Sequence, residues 1–146
     1  MNERVLIRPA RADDYDAIVR CWEESGLSVR LRGRDARDAF LAQLEAFPTL
    51  YLVAEEAGRI VGTILGTHDR RKGWINRLAV IPSHRRRRIA ARLVAACEEA
   101  LRAEGIGIVS ALVETDNHAS AALFRRLDYR TDVEVIYFRK LFRPEV

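Results

Sequence analysis

The stretch VIPSHRRRRIAARLV, residues Val80 to Val94, holds a proline, four consecutive arginines and the start of an apolar helical pattern. Just upstream, WINRLAVI (Trp74–Ile81) reads as a strand that Pro82 ends. Downstream, Ile89, Leu93, Cys97 and Leu101 recur every four residues, and Ala90, Val94 and Ala100 widen the same face. That spacing predicts an amphipathic helix from near Arg86, ended by Gly105 and Gly107. The first N–H groups of a helix lack internal partners and, with the helix dipole, attract anions. Arginines beside that end add charge and paired donors suited to phosphate. The stretch therefore describes an anion cradle, although it has no glycine to bring backbone close to phosphate. Two other readings stay open. One is a solvated basic face, but four positive charges there oppose the dipole unless an anion compensates them. The other is a nucleic-acid patch, against which stand the lack of interleaved aromatics and a net charge of only +4.

Outward from this centre the chain reads in simple units. RVLIRPA (Arg4–Ala10) is a short first strand stopped by Pro9. A helix is predicted over 12–25, with Asp13 and Asp14 at its positive end, Ile18, Val19 and Trp22 as its apolar stripe, and Gly26 as its stop. Residues 27–34 form a basic loop. A second helix follows over 35–46, with Phe40, Leu44 and Phe47 on one face and Pro48 ending it. LYLVAEE (Leu50–Glu56) and RIVGTILGT (Arg59–Thr67) read as strands joined by a turn that Gly58 permits. After the central helix come the strand IVSALVE (Ile108–Glu114), the helix NHASAALFRRL (Asn117–Leu127) capped by Asn117, and a long closing strand, TDVEVIYFRKLF (Thr131–Phe142). The order β-α-α-β-β-β-α-β-α-β predicts an α+β, or mixed α/β, fold with an antiparallel front half and a helical crossover behind.

Composition bounds the reading. The 146 residues suit one domain over 1–146, with 49% hydrophobic and 32% charged residues. No apolar run suits a membrane helix, and charges in Met1–Ala10 argue against a signal peptide, so the cytoplasm is the expected location. Cys21 and Cys97 fall on predicted helices and read as buried thiols. His68, His84 and His118 are scattered, so no metal site is expected.

Two motifs carry a resemblance to a known family. LAVIP (Leu78–Pro82) followed by RRRRIA (Arg85–Ala90), and NHASAALFRRLDY (Asn117–Tyr129), resemble the paired motifs of the GNAT superfamily, the acetyl-CoA-dependent N-acetyltransferases. Their order and spacing are similar over nearly the whole chain. Arg88 and Asp128 stand where the family has glycine, and Phe124 where it has tyrosine.

The resemblance implies a central mixed β-sheet, splayed at its middle strands and flanked by about four helices. It implies acetyl-CoA as cosubstrate, no metal, and an amine acceptor, either a small molecule or a protein amine. Backbone at Leu78, Ala79 and Val80 would pair with the pantetheine arm. The loop Arg85, Arg86, Arg87, Arg88, Ile89 and Ala90 would hold the pyrophosphate, with Asn117 and the Phe124 position on the pantetheine side. The implied chemistry is direct attack of the amine on the thioester, helped by a general base. Glu114 is the first choice for that base, with the alternative that it only favours the start of the next helix. Asn76 could hold a water, Asp69 precedes the central strand, and Glu55 reads as solvated. The usual tyrosine acid is absent because Phe124 cannot donate. Tyr137 and His118 are the other donors to weigh, against a packed aromatic and a solvated helix residue. Trp22, Trp74 and Phe40 line either an acceptor pocket or the core. Arg30, Arg32, Arg34 and Arg37 favour an acceptor with acidic groups. The missing tyrosine and glycine motivate a rival, a catalytically impaired acyl-CoA-binding or regulatory protein on the same fold. A homodimer stays open.

Overall fold

The computed structural model describes residues 4–146. Five strands form one sheet in the order β1-β2-β3-β4-β5: β1 (Leu6–Pro9), β2 (Tyr51–Glu56), β3 (Arg59–His68), β4 (Gly73–Val80) and β5 (Val109–Ala111). The first four are antiparallel neighbours, and β5 joins β4 in parallel. Four helices flank the sheet: α1 (Tyr15–Glu24), α2 (Arg37–Ala46), α3 (Ile89–Ala103) and α4 (His118–Arg126). The expected α+β class and mixed sheet are what the structure shows.

The β2–β3 hairpin turns on Ala57 and Gly58, both left-handed at φ 51° and 78°. Two left-handed centres make the turn whose twist matches paired strands, and Gly58 supplies one of them without steric cost. On β3, alternate residues face opposite sides. Thr63 meets Trp22 of α1, whose indole N–H donates to the Thr63 hydroxyl at 3.0 Å. Gly62 and Gly66 face α3, so close that a Cβ on Gly66 would lie 2.7 Å from the Cys97 sulfur. Thus α1 covers one face and α3 the other. Tyr15, Phe40 and Tyr51 stack edge to ring on the α1 side, at centroid distances of 5.4 and 5.3 Å. The interior is closed by fully buried Ile18, Leu50, Ile64, Leu93 and Leu101. Phe40 is therefore a core residue and not part of an acceptor pocket.

Four expectations change. The central helix starts at Ile89, not near Arg86, because Arg86 and Arg88 adopt left-handed backbone that no helix can include. Glu55 is not simply solvated: its carboxylate accepts from Arg8 at 3.1 Å, and Arg8 also grips buried Asp14 at 2.8 Å. The closing strand over 131–142 pairs with nothing among the described residues, and its side chains are largely exposed. A strand exists only with a neighbour to take its N–H and C=O groups, and here the segment stands across a groove from β5. Tyr137 accordingly faces solvent and is not a packed aromatic.

Candidate active site

β4 is paired along its length with β3 but meets β5 only at Gly73, Trp74 and Ile75. Beyond Ile75 and Ala111 the two strands part. Among the described residues the β5-facing edge of β4 from Asn76 to Val80 has no strand partner, and this is the splay that the resemblance implies. Leu78, Ala79 and Val80 lie on this edge.

A bulge sits at the opening. Thr63 pairs with Ala79 and Leu65 with Asn76, so Ile64 faces two residues, Arg77 and Leu78. Arg77 takes the left-handed φ of 52° that the extra residue needs. Its carbonyl accepts from the Thr63 hydroxyl at 2.8 Å, so the relay from Trp22 through Thr63 pins the bulge. The Arg77 guanidinium lies 4.4 Å from the Trp22 ring and donates to Asp35 at 2.7 Å and to the Ser28 carbonyl at 2.8 Å. Buried Asp35 also accepts the Arg30 N–H at 2.7 Å, and its carbonyl takes the Tyr15 hydroxyl at 2.6 Å. The basic loop is thereby clamped to the bulge. Sequence reading missed Arg77 and Asp35, since 42 positions separate them and neither belongs to a motif.

The arginine run divides its work. Arg85 donates to the Val80 carbonyl at 3.1 Å and the Ser25 carbonyl at 3.3 Å, folding the loop back on β4. Arg87 pairs with Glu56 at 2.7 Å, and His84 meets the same carboxylate at 2.9 Å. Arg87 first and His84 second hold the Glu56 carboxyl down at about 2. The exposed side chains of Arg86 and Arg88 have no partner among the described residues. Both flank the start of α3, at φ 65° and 61°, where Ile89 and Ala90 open the helix. Two uncommitted guanidiniums beside unpaired helix amides suit a pyrophosphate. The backbone conformation also explains why glycine is the family's residue at the Arg88 position.

The remaining predicted residues are placed as follows. Asn117 caps α4 by accepting from Ser120 N–H at 3.1 Å, and its amide donors have no partner among the described residues. Phe124 is buried edge-on against Tyr129 at 5.0 Å. Tyr129 donates to Glu98 at 2.6 Å, and burial together with that carboxylate pushes its hydroxyl pKa up. Glu114 is exposed, three residues beyond the last β4–β5 pair. Asn76 donates to Thr67 at 3.2 Å. Asp69 accepts from the Arg71 and Lys72 N–H groups and shapes its own turn. His118 is exposed at the start of α4, and Trp74 lines the groove beside β5. Trp22 is buried beneath Arg77. Burial pushes the Cys21 thiol up to about 11 and the Cys97 thiol to about 12, which suits inert core residues and not nucleophiles. Among the described residues no group of three His, Cys, Asp or Glu could hold a metal ion, and no helix is long and apolar enough to cross a membrane.

Comparison with known proteins agrees with this geometry. The model of the Acetyltransferase (GNAT) family matches residues 15–129. An acetyltransferase of Sodalis glossinidius is 34% identical over 135 residues, 92% of this chain and 93% of that protein. One from Pectobacterium atrosepticum is 36% identical over 126 residues, 86% and 87% of the two chains. Among solved structures, the PaiA N-acetyltransferase of Thermoplasma acidophilum in complex with coenzyme A superposes with a TM-score of 0.77 at 17% identity, covering 84% of this chain and 87% of that one. The aminoglycoside N-acetyltransferase AAC(6')-Iy in complex with CoA superposes at 0.73 and 19% identity, covering 93% and 94%.

Proposed function

This chain belongs to the GNAT acetyltransferase family and is an acyltransferase; from that premise we propose that it moves the acetyl group of acetyl-CoA to a primary amine by direct attack. The carrying observation is the unpartnered β4 edge at Asn76–Val80 beside the α3 entrance, where Arg86 and Arg88 stand uncommitted. Those residues fit the cosubstrate: the edge offers backbone pairing to the pantetheine amides, and the entrance offers charge and N–H donors to the pyrophosphate. The amide of Asn117 would donate on the pantetheine side.

The amine nitrogen attacks the thioester carbonyl carbon, the C–S bond breaks, an amide forms and the CoA thiol leaves. Backbone N–H groups at the β4 edge favour the developing oxyanion. Glu114, exposed where the strands part and without a side-chain partner among the described residues, takes the amine proton directly or through water held near Asn76. The leaving thiolate takes its proton from solvent. Phe124 has none to give, Tyr15 donates to a carbonyl and Tyr129 to Glu98, Tyr51 is buried, and Tyr137 and His118 face solvent away from the β4 pairing.

The acceptor side is basic. Arg30, Arg32 and Arg34 are exposed on the clamped loop, whereas Arg37 is held by Asp16 at 3.1 Å. These charges favour an amine that also carries acidic groups over a polycation. Buried free thiols at Cys21 and Cys97 suit a reducing compartment, the cytoplasm. Thiol release from acetyl-CoA across an amine panel tests the reading. Amines with carboxylates should react best, Arg30→Glu with Arg32→Glu should raise their KM, and Glu114→Gln should lower kcat. No thiol release with any amine would refute acetyl transfer, and an unchanged KM would refute the acidic acceptor.

A further inference from the structure

We propose that Ser83 is a nucleophile that takes the acyl group of an acyl phosphate and passes it to water. Ser83 and His84 belong to the short turn Pro82–His84 between β4 and α3. The Ser83 Oγ lies 2.8 Å from His84 Nδ1, and His84 Nε2 lies 2.9 Å from Glu56 Oε1 at the end of β2. Hydroxyl, imidazole and carboxylate therefore stand in sequence, the order of groups that activates a serine. Glu56 and His84 are 28 positions apart, so this relay exists only in the fold.

The direction of the relay follows from the carboxylate. Arg87 first and His84 second hold the Glu56 carboxyl down at about 2, so it is ionised at neutral pH. A carboxylate only accepts, so the hydrogen it shares with His84 sits on Nε2. The neutral ring then keeps its lone pair on Nδ1, and the Ser83 hydroxyl donates to it. The ring is well held: the His84 N–H donates to the Ile81 carbonyl at 3.0 Å, and the His84 side chain is only 12% exposed. Ser83 is exposed, so a donor in solution reaches its oxygen. The thiols that could compete with it, Cys21 and Cys97, are buried.

The surroundings select the donor. Arg86 and Arg88 follow in the same loop, exposed and without a partner among the described residues. They favour a donor whose leaving group is an anion, and the guanidinium fork suits phosphate in particular. Ser83 Oγ attacks the acyl carbon, and its proton passes to His84 Nδ1. The bond from that carbon to the phosphate oxygen breaks, and the phosphate leaves with the proton. Water then attacks the acyl-serine, one of its protons returns through His84 to the serine oxygen, and the carboxylic acid departs and ionises. The step needs no reactant beyond the acyl phosphate and water.

The test uses no coenzyme A, so its outcome is independent of amine acetylation. The intact protein is incubated with acetyl phosphate, phosphate release is followed, and acid-quenched samples are mapped by mass spectrometry. The wild type should release phosphate above the spontaneous rate and carry acetyl on Ser83. Neutral hydroxylamine should remove that ester and leave any acetyl amide on Lys72 or Lys140 in place. Ser83→Ala should abolish the catalysed release while its melting temperature stays at the wild-type value. His84→Asn should slow release about a hundredfold, since a positioned base contributes roughly 100- to 10,000-fold. Arg86→Ala with Arg88→Ala should raise the KM for acetyl phosphate. Release no faster from the wild type than from Ser83→Ala would overturn the proposal. Release unaffected by His84→Asn would reduce Ser83 to an exposed hydroxyl and overturn the relay, and an unchanged KM would overturn the acyl phosphate as its donor.

Discussion

Arg88 holds a left-handed backbone that costs a residue with a Cβ about 1–2 kcal/mol, and its side chain has no partner among the described residues to offset that cost. A charged group kept there against strain points to a ligand, and the position separates two effects. Arg88→Gly should raise stability by about 1 kcal/mol, seen as a higher melting temperature. The same change should weaken acetyl-CoA about tenfold, because a hydrogen bond to a charged group contributes roughly 1.5–3 kcal/mol. Affinity unchanged by Arg88→Gly would mean that the loop binds through its amides alone. The positions of LAVIP and RRRRIA, at the end of β4 and the entrance of α3, could be read from sequence because a strand end, a proline and a helix start are local features. Arg85 and Arg87 look identical to Arg86 and Arg88 in sequence, and only the fold reveals that Val80 and Glu56 occupy them. The Arg77–Asp35–Trp22 clamp was illegible for the same reason, since it depends on a bulge and a loop brought together by tertiary structure.

At the scale of elements, α3 and the β2–β3 hairpin were legible because period and turn chemistry agree with their tertiary setting. Ile89, Leu93, Cys97 and Leu101 are all buried on the face their spacing predicted. Residues 131–142 had an equally clear strand pattern but pair with nothing among the described residues, because whether a neighbouring strand is at hand is not written in a segment's own residues. The contact between α3 and β3 depends on the absence of a side chain at Gly66. Gly66→Ala would put a Cβ 2.7 Å from the Cys97 sulfur, forcing α3 off the sheet at about 1–3 kcal/mol. Denaturant unfolding should show that loss. Since α3 carries the proposed anion entrance, acetyl-CoA affinity should fall with it.

Across the whole molecule, carboxylates tie together elements that the sequence keeps apart. Glu56 at the end of β2 holds Arg87 of the α3 entrance, which lowers its carboxyl from 4.5 to about 2. Burial alone would raise the Asp14 carboxyl, but the hydrogen bonds from Arg8 and from the Arg11 N–H outweigh it and bring it below its usual value. Between each folded and unfolded value, the unfolded chain binds more protons than the folded one. The stability these groups contribute is therefore complete above about pH 5 and is lost as pH falls towards about 2. Melting temperature followed from pH 6 to 2 should drop through that window, and Arg87→Ala should flatten the drop. The central claim is that the splayed β4 edge and the α3 entrance form an acetyl-CoA site gripped by Arg86 and Arg88. Titration calorimetry of the wild type and of Arg86→Ala with Arg88→Ala tests it most directly. The account predicts saturable binding of acetyl-CoA by the wild type, weakened tenfold or more in the double variant. Equal affinity in the two proteins, or no heat from the wild type at millimolar ligand, would contradict it.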